Sequence, residues 1–287
     1  MSFDAIAMFF LLAQSGLIQP APAAMHDSLY EKHAAGLKQK YDLSKFAVVV
    51  EPPFVVIGDE VPGQVKQRAR NTIKWAVDRL KQDFFTDDPS EIIAIWLFRN
   101  DLSYQFHAKS FFGDNPSTPF GYYSSEHKAL IMNIATGGGT LVHEIVHPFM
   151  RANFPGCPPW FDEGLASLYE ACREKDGHIS GLPNWRLALL KKAIGLKAVP
   201  SFYRLTSLGA DEFYGENQGV YYSQARYLCY YLQEKGVLVR YYHEFRDNRE
   251  RDPSGYRTLV RILGQKDMKA FKKKWEKFIL AVDFPED

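Results

Sequence analysis

His143-Glu144-Ile145-Val146-His147 restricts this chain more than any other segment, because two imidazoles four residues apart act together only on a helix. One helical turn separates them, so both rings can face one cation. Glu144 points about 100° away from His143, towards a coordination position that the protein leaves open. Leu141, Val142, Ile145, Val146 and Phe149 give the same helix an apolar side. Two histidines and a glutamate make poor core residues, so the fold is expected to bury that side and turn the polar groups towards a cleft.

The residue types select the chemistry. Neutral imidazoles and a carboxylate suit Zn²⁺, and a catalytic zinc keeps three protein ligands plus a water whose pKa falls towards about 7. Glu144 is then placed to act as general base. A third ligand must come from elsewhere. Asp162 and Glu163 lie in Trp160-Phe161-Asp162-Glu163-Gly164-Leu165-Ala166, sixteen residues past His147. Neighbouring helical residues diverge by about 100°, so only one of the two carboxylates reaches the ion.

With Pro159 included, this second segment and the pentapeptide resemble the gluzincin metallopeptidases, especially the small bacterial peptidase MA-like group. The resemblance implies an α+β, zincin-like fold: a mixed N-terminal lobe with the active-site helix, a mainly helical C-terminal lobe, and one Zn²⁺ between them. It implies Glu163 rather than Asp162 as third ligand beside His143 and His147, with Glu144 as base and then acid. It also implies a tyrosine that steadies the oxyanion. Tyr222 stands ten residues before Leu232, as in the family; Tyr221 is its substitute, and plain packing is the alternative for both. In gluzincins a strand just before the metal helix forms the edge of the active-site sheet, where an extended peptide can add. Ala129–Asn133 occupies that place. The resemblance is specific over residues 139–170 and looser over 220–236. Pro148 departs from it: a proline there leaves the Glu144 carbonyl without its partner, so the helix is expected to kink or end soon after.

The expected function is zinc-dependent hydrolysis of peptide bonds in a peptide or protein substrate. Two alternatives stand beside it. One is a zinc hydrolase of a non-peptide amide; the other is a non-catalytic surface or binding protein braced by a closed, four-ligand zinc.

Charge narrows the partners. Lys and Arg number 35 against 34 Asp and Glu, a formal net charge of +1, so no broad positive field is available for nucleic acid. No stretch approaches the roughly 20 apolar residues of an integral membrane span. Residues 1–24 read as a signal peptide, with an apolar run at Ala5–Leu12 and a small-residue cleavage pattern at Ala21-Pro22-Ala23-Ala24, although Asp4 stands where a basic residue is usual. An apolar helix packed on the domain is the alternative. Export implies an extracytoplasmic, periplasmic or secreted protein, and a cytoplasmic one stays open; the sequence specifies no oligomeric state. Cys157 and Cys172 flank the Glu163 segment and either pair there or, with Cys229, remain free thiols.

Residues 25–45 read as a helical arm or short pro-segment and 46–287 as the catalytic domain, its mixed lobe ending at 150. Ala47 to Ile57, broken at Pro52-Pro53, predicts two short strands or one bent one. Ile73, Ala76, Val77 and Leu80 predict a helix within 64–85, and Ile92 to Phe98 a buried strand. A short helix over 103–112 carries His107, a surface or packing residue like His127. Phe120 to Asn133 reads as a hairpin turning near Ser124-Ser125-Glu126-His127. Thr136-Gly137-Gly138-Gly139-Thr140 makes the turn into the metal helix with Thr140 as N-cap. The Glu163 helix is expected to continue to Arg173, with Glu170 orienting an imidazole or standing exposed. Residues 183–236 read as mainly helical. Met268, Phe271, Trp275, Phe278 and Ile279 form the inner stripe of a terminal helix whose lysines face solvent.

Overall fold

Three apolar runs, Phe54–Gly58, Ile93–Phe98 and Ala129–Asn133, lie side by side and parallel at the centre of the computed structural model, which describes residues 22–284. The apolar run of the expected signal peptide lies outside the described residues. Helix α1 (Pro22–Lys40) leads into β1 (Ala47–Glu51), which turns back antiparallel on β2 (Phe54–Gly58), so the segment broken by Pro52-Pro53 is two strands. Helix α2 (Pro62–Arg68), a π-helical segment and α3 (Trp75–Asp83) follow as one run, then β3 (Ile93–Phe98) and α4 (Asp101–His107). β4 (Gly121–Ser124) and β5 (Ala129–Asn133) form the expected hairpin.

The sheet order is β1-β2-β3-β5-β4. This corrects one expectation. Ala129–Asn133 is not the edge: it pairs on both sides, with β3 and β4, and β4 takes the rim. Alternation explains why β2, β3 and β5 read as unbroken apolar runs, since both faces are covered. Phe54, Val56, Ile93, Ile95, Leu97, Leu130 and Met132 point to one core, and Val55, Ile57, Trp96, Phe98 and Ile131 to the other. Helices α1 and α4 pack on the second face, where His107 sits ring against ring with Phe46, Phe98 and Phe111.

On the first face lies α5 (Gly139–Asn153), followed by α6 (Pro159–Leu168). The chain does not continue as helix to Arg173. It breaks at Tyr169 and forms a second hairpin from β6 (Cys172–Lys175) and β7 (His178–Gly181). The reason lies in Arg226, fully buried, which donates to the carbonyls of Ser167 at 2.9 Å, of Leu168 at 3.3 Å, and of Leu182. A guanidinium at a helix C-terminus satisfies carbonyls that would otherwise be orphaned there. Burial draws its pKa down to about 10.

The remainder is helical: α7 (Arg186–Gly195), α8 (Phe202–Thr206), α9 (Ala210–Phe213), α10 (Gln218–Glu234), α11 (Leu238–Asp247), α12 (Tyr256–Leu263) and α13 (Met268–Leu280). Phe271, Trp275 and Ile279 of α13 are buried, while Lys269, Lys273, Lys274 and Lys277 are exposed. The fold is thus α+β, and one core runs from the first face of the sheet through α6 and α10 to α13. No helix among the described residues is long and apolar enough to cross a membrane.

Candidate metal centre

Helix α5 buries Leu141, Ile145, Val146 and Phe149 completely, and this seating turns His143, Glu144 and His147 towards α6 and a cleft. Pro148 does not end the helix, which runs on to Asn153. Nor does Thr140 cap it. The N-cap is Gly138, without a side-chain bond, and the glycine that matters is Gly139, where an added Cβ would stand 2.0 Å from the Glu170 carbonyl oxygen. The glycine run thus serves a close crossing of two backbones as well as a turn.

Helix α6 approaches α10 through Gly164, where a Cβ would press on Cys229 Sγ at 3.0 Å and the Ala225 carbonyl at 3.1 Å. That contact brings Glu163 under α5. His143 Nε2 lies 3.3 Å from Glu163 Oε2, and His147 Nε2 lies 3.8 Å from the same oxygen. Ligands held about 2.0–2.1 Å from one tetrahedral ion stand roughly 3.4 Å apart. The spacing therefore fits a single cation. Glu163 Oε2 is buried without a hydrogen-bond partner, the condition of an acceptor awaiting a positive charge. His143, His147 and Glu163 form a buried group that can hold a metal ion.

Each imidazole meets a carboxylate on its other nitrogen. Asp162 Oδ1 lies 2.9 Å from His147 Nδ1, so the rival of Glu163 is occupied with orienting that imidazole. Glu170 Oε1 lies 3.1 Å from His143 Nδ1, within ion-pair distance though not aligned as a hydrogen bond. Such partners fix ring orientation and tautomer and raise ligand basicity. Glu170 is neither exposed nor on α6; the break after Tyr169 carries it to the ring. Burial opposes charge on His143, but the close carboxylates of Glu163 and Glu170 outweigh it and carry its pKa up to about 10. His147 is raised likewise against its burial by Asp162. Burial pushes the Glu163 carboxyl up, yet His143 and His147, helped by Tyr214, bring it down to about 2.

The cleft beside the group has a volume of about 620 Å³. Glu144 lines it, as do Phe120 and Gly121 at the rim strand and Tyr222 on α10. Burial, the nearby Glu163 carboxylate and Tyr214 keep the Tyr222 phenol protonated well above the usual range. Tyr221 does not line the cleft; its ring stacks on Phe213. No protein-family model matches the chain, and no curated protein matches it.

Three contributors escaped the sequence. Tyr214, just past α9, donates to Glu163 Oε1 at 2.9 Å. Arg186 grips Glu170 through Nε at 3.0 Å and Nη2 at 2.8 Å, and its guanidinium lies 4.3 Å from the Trp185 ring centroid and 5.1 Å from that of Tyr222. Trp185 is 60% exposed and lines the cleft. No spacing rule links these residues to the pentapeptide, although an acid directly before a ligand glutamate is a legible cue for Asp162. Cys157, Cys172 and Cys229 are all free thiols, the second of the two alternatives the sequence left open.

Proposed function

We propose that the protein is a zinc-dependent peptide hydrolase of the gluzincin type, with His143, His147 and Glu163 as metal ligands. One observation carries this reading: two Nε2 atoms converge on an orphaned, buried glutamate oxygen at the wall of an open cleft that Glu144 also lines. A brace would be closed by a fourth protein ligand, whereas three ligands and an accessible cleft suit catalysis. Bound there, zinc would polarise the scissile carbonyl and acidify the attacking water.

The chain's own residues supply the rest. Glu144 takes the proton of the attacking water and passes it to the leaving nitrogen, a contribution of about a hundredfold to ten-thousandfold. Tyr222, held protonated, donates to the oxygen that gains negative charge. Asp162 and Glu170 hold the imidazoles in the ligand tautomer. The exposed side of β4, the rim strand, offers main-chain groups to an extended substrate.

Changing Glu144 to Gln separates binding from chemistry. Zinc content, measured by elemental analysis, is expected to stay at the wild-type level while cleavage of a peptide library stops. Undiminished cleavage by this variant would refute the assignment.

A further inference from the structure

Arg186 is the only lysine or arginine among the residues lining the cleft. Its side chain is 15% exposed and immobilised on every side but one. Glu170 takes the edge formed by Nε and Nη2, with Oε2 on the first and Oε1 on the second. Trp185 and Tyr222 lie against the guanidinium. Asn184 Nδ2 donates to Glu170 Oε2 at 3.1 Å and keeps the carboxylate in place. What remains is the end-on edge, Nη1 with the outer N–H of Nη2, and Nη1 has no partner among the described residues.

We propose that this free edge of Arg186 recognises a carboxylate on the substrate. The inference rests on the peptide-hydrolase reading and adds the substrate's chemical class. Two parallel N–H groups match the two oxygens of a planar carboxylate, and a lone carbonyl uses only one of them. Because Glu170 and the two rings already hold the guanidinium, little side-chain freedom is lost when the ligand arrives. The charge of Glu170 does not consume the site, since it occupies the other edge. The carboxylate belongs either to the C-terminus of a peptide or to an aspartate or glutamate within it.

The test compares three kinds of N-acetylated alanine peptide: one with a free C-terminal carboxylate, its C-terminal amide, and a series of amides bearing a single glutamate at successive positions. Binding is measured by calorimetry on zinc-loaded Glu144→Gln protein, which does not consume them. A free terminus, or a glutamate at one position, is expected to tighten binding about tenfold or more over the neutral amide. Preference for the first assigns a terminal carboxylate, and preference for the second an acidic side chain. In Arg186→Lys, which keeps the charge and loses the fork, the preference is expected to disappear. Equal binding of all peptides overturns the inference, and so does a preference that survives in Arg186→Lys, because the carboxylate then sits on the metal. Turnover by the wild type is scored separately: cleavage of every peptide at one rate keeps the hydrolase reading and sinks this one, while a carboxylate preference in binding without cleavage does the reverse.

Discussion

Replacing Gly139 by alanine tests how the metal centre is braced, because the new methyl has nowhere to go. Its carbon would stand 2.0 Å from the Glu170 carbonyl oxygen, and relief to even a tight contact needs a displacement of about 1 Å or more. The obstacle is backbone, so no side chain can swing aside. Overpacking of this kind costs about 1–3 kcal/mol, or a fall of about 2–12 °C in Tm for a chain of this size. The larger effect is local. Pushing Glu170 away breaks its 3.1 Å approach to His143 Nδ1, and loss of such a partner weakens metal binding about ten- to a hundredfold. The assay is a competitive zinc titration against a chromophoric chelator, paired with thermal unfolding. Thr140→Ala is the control; that residue makes no capping bond, so a change within about 0.5 kcal/mol is expected. If Gly139→Ala kept wild-type zinc affinity and Tm, the close crossing would not brace the site.

Asp162→Asn should retain zinc with about ten- to a hundredfold weaker affinity, while Glu163→Gln should lose it almost entirely, both read from the same titration. Tyr222→Phe is expected to lower kcat about a hundredfold or more with zinc content unchanged, and Tyr214→Phe to lower it far less, because Tyr214 contacts the ligand Glu163 without lining the cleft; equal losses would mean the roles are misassigned. Stability should depend on pH in opposite senses with and without metal. The His143 pKa is raised to about 10 in the chelated protein, so its stabilisation is complete below about 6.5 and is lost as pH rises through 10. Zinc binding must displace that proton, so the increment in Tm on adding zinc should grow across the same interval.

Helices α5 and α6 could be read from the chain because their information is local. Helical periodicity places His143, Glu144 and His147 on adjoining faces, and the apolar positions between them choose which side is buried. The β2, β3 and β5 runs were equally plain, being apolar on both faces. What could not be read depends on contacts between distant segments. The end of α6 is set by Arg226, fifty-eight residues beyond Leu168 in sequence, and without that cap nothing marks Tyr169 as the break. Glu170 then reaches His143 by a bend rather than by helical repeat. β5 is an inner strand because its second edge pairs with the distant β3, which a hairpin pattern does not specify. Tyr214 and Arg186 arrive on separate helical segments, each positioned by packing that no short motif encodes.

Glu170 gathers several dependencies into one residue. One oxygen faces His143 and Arg186 Nη2, the other receives Asn184 and Arg186 Nε, and its main chain abuts Gly139. An ion bound on one side of this junction and the proposed carboxylate on the other would therefore sense each other through Glu170. Thermodynamic reciprocity then applies: whatever factor the ion adds to anion affinity, the anion returns to ion retention.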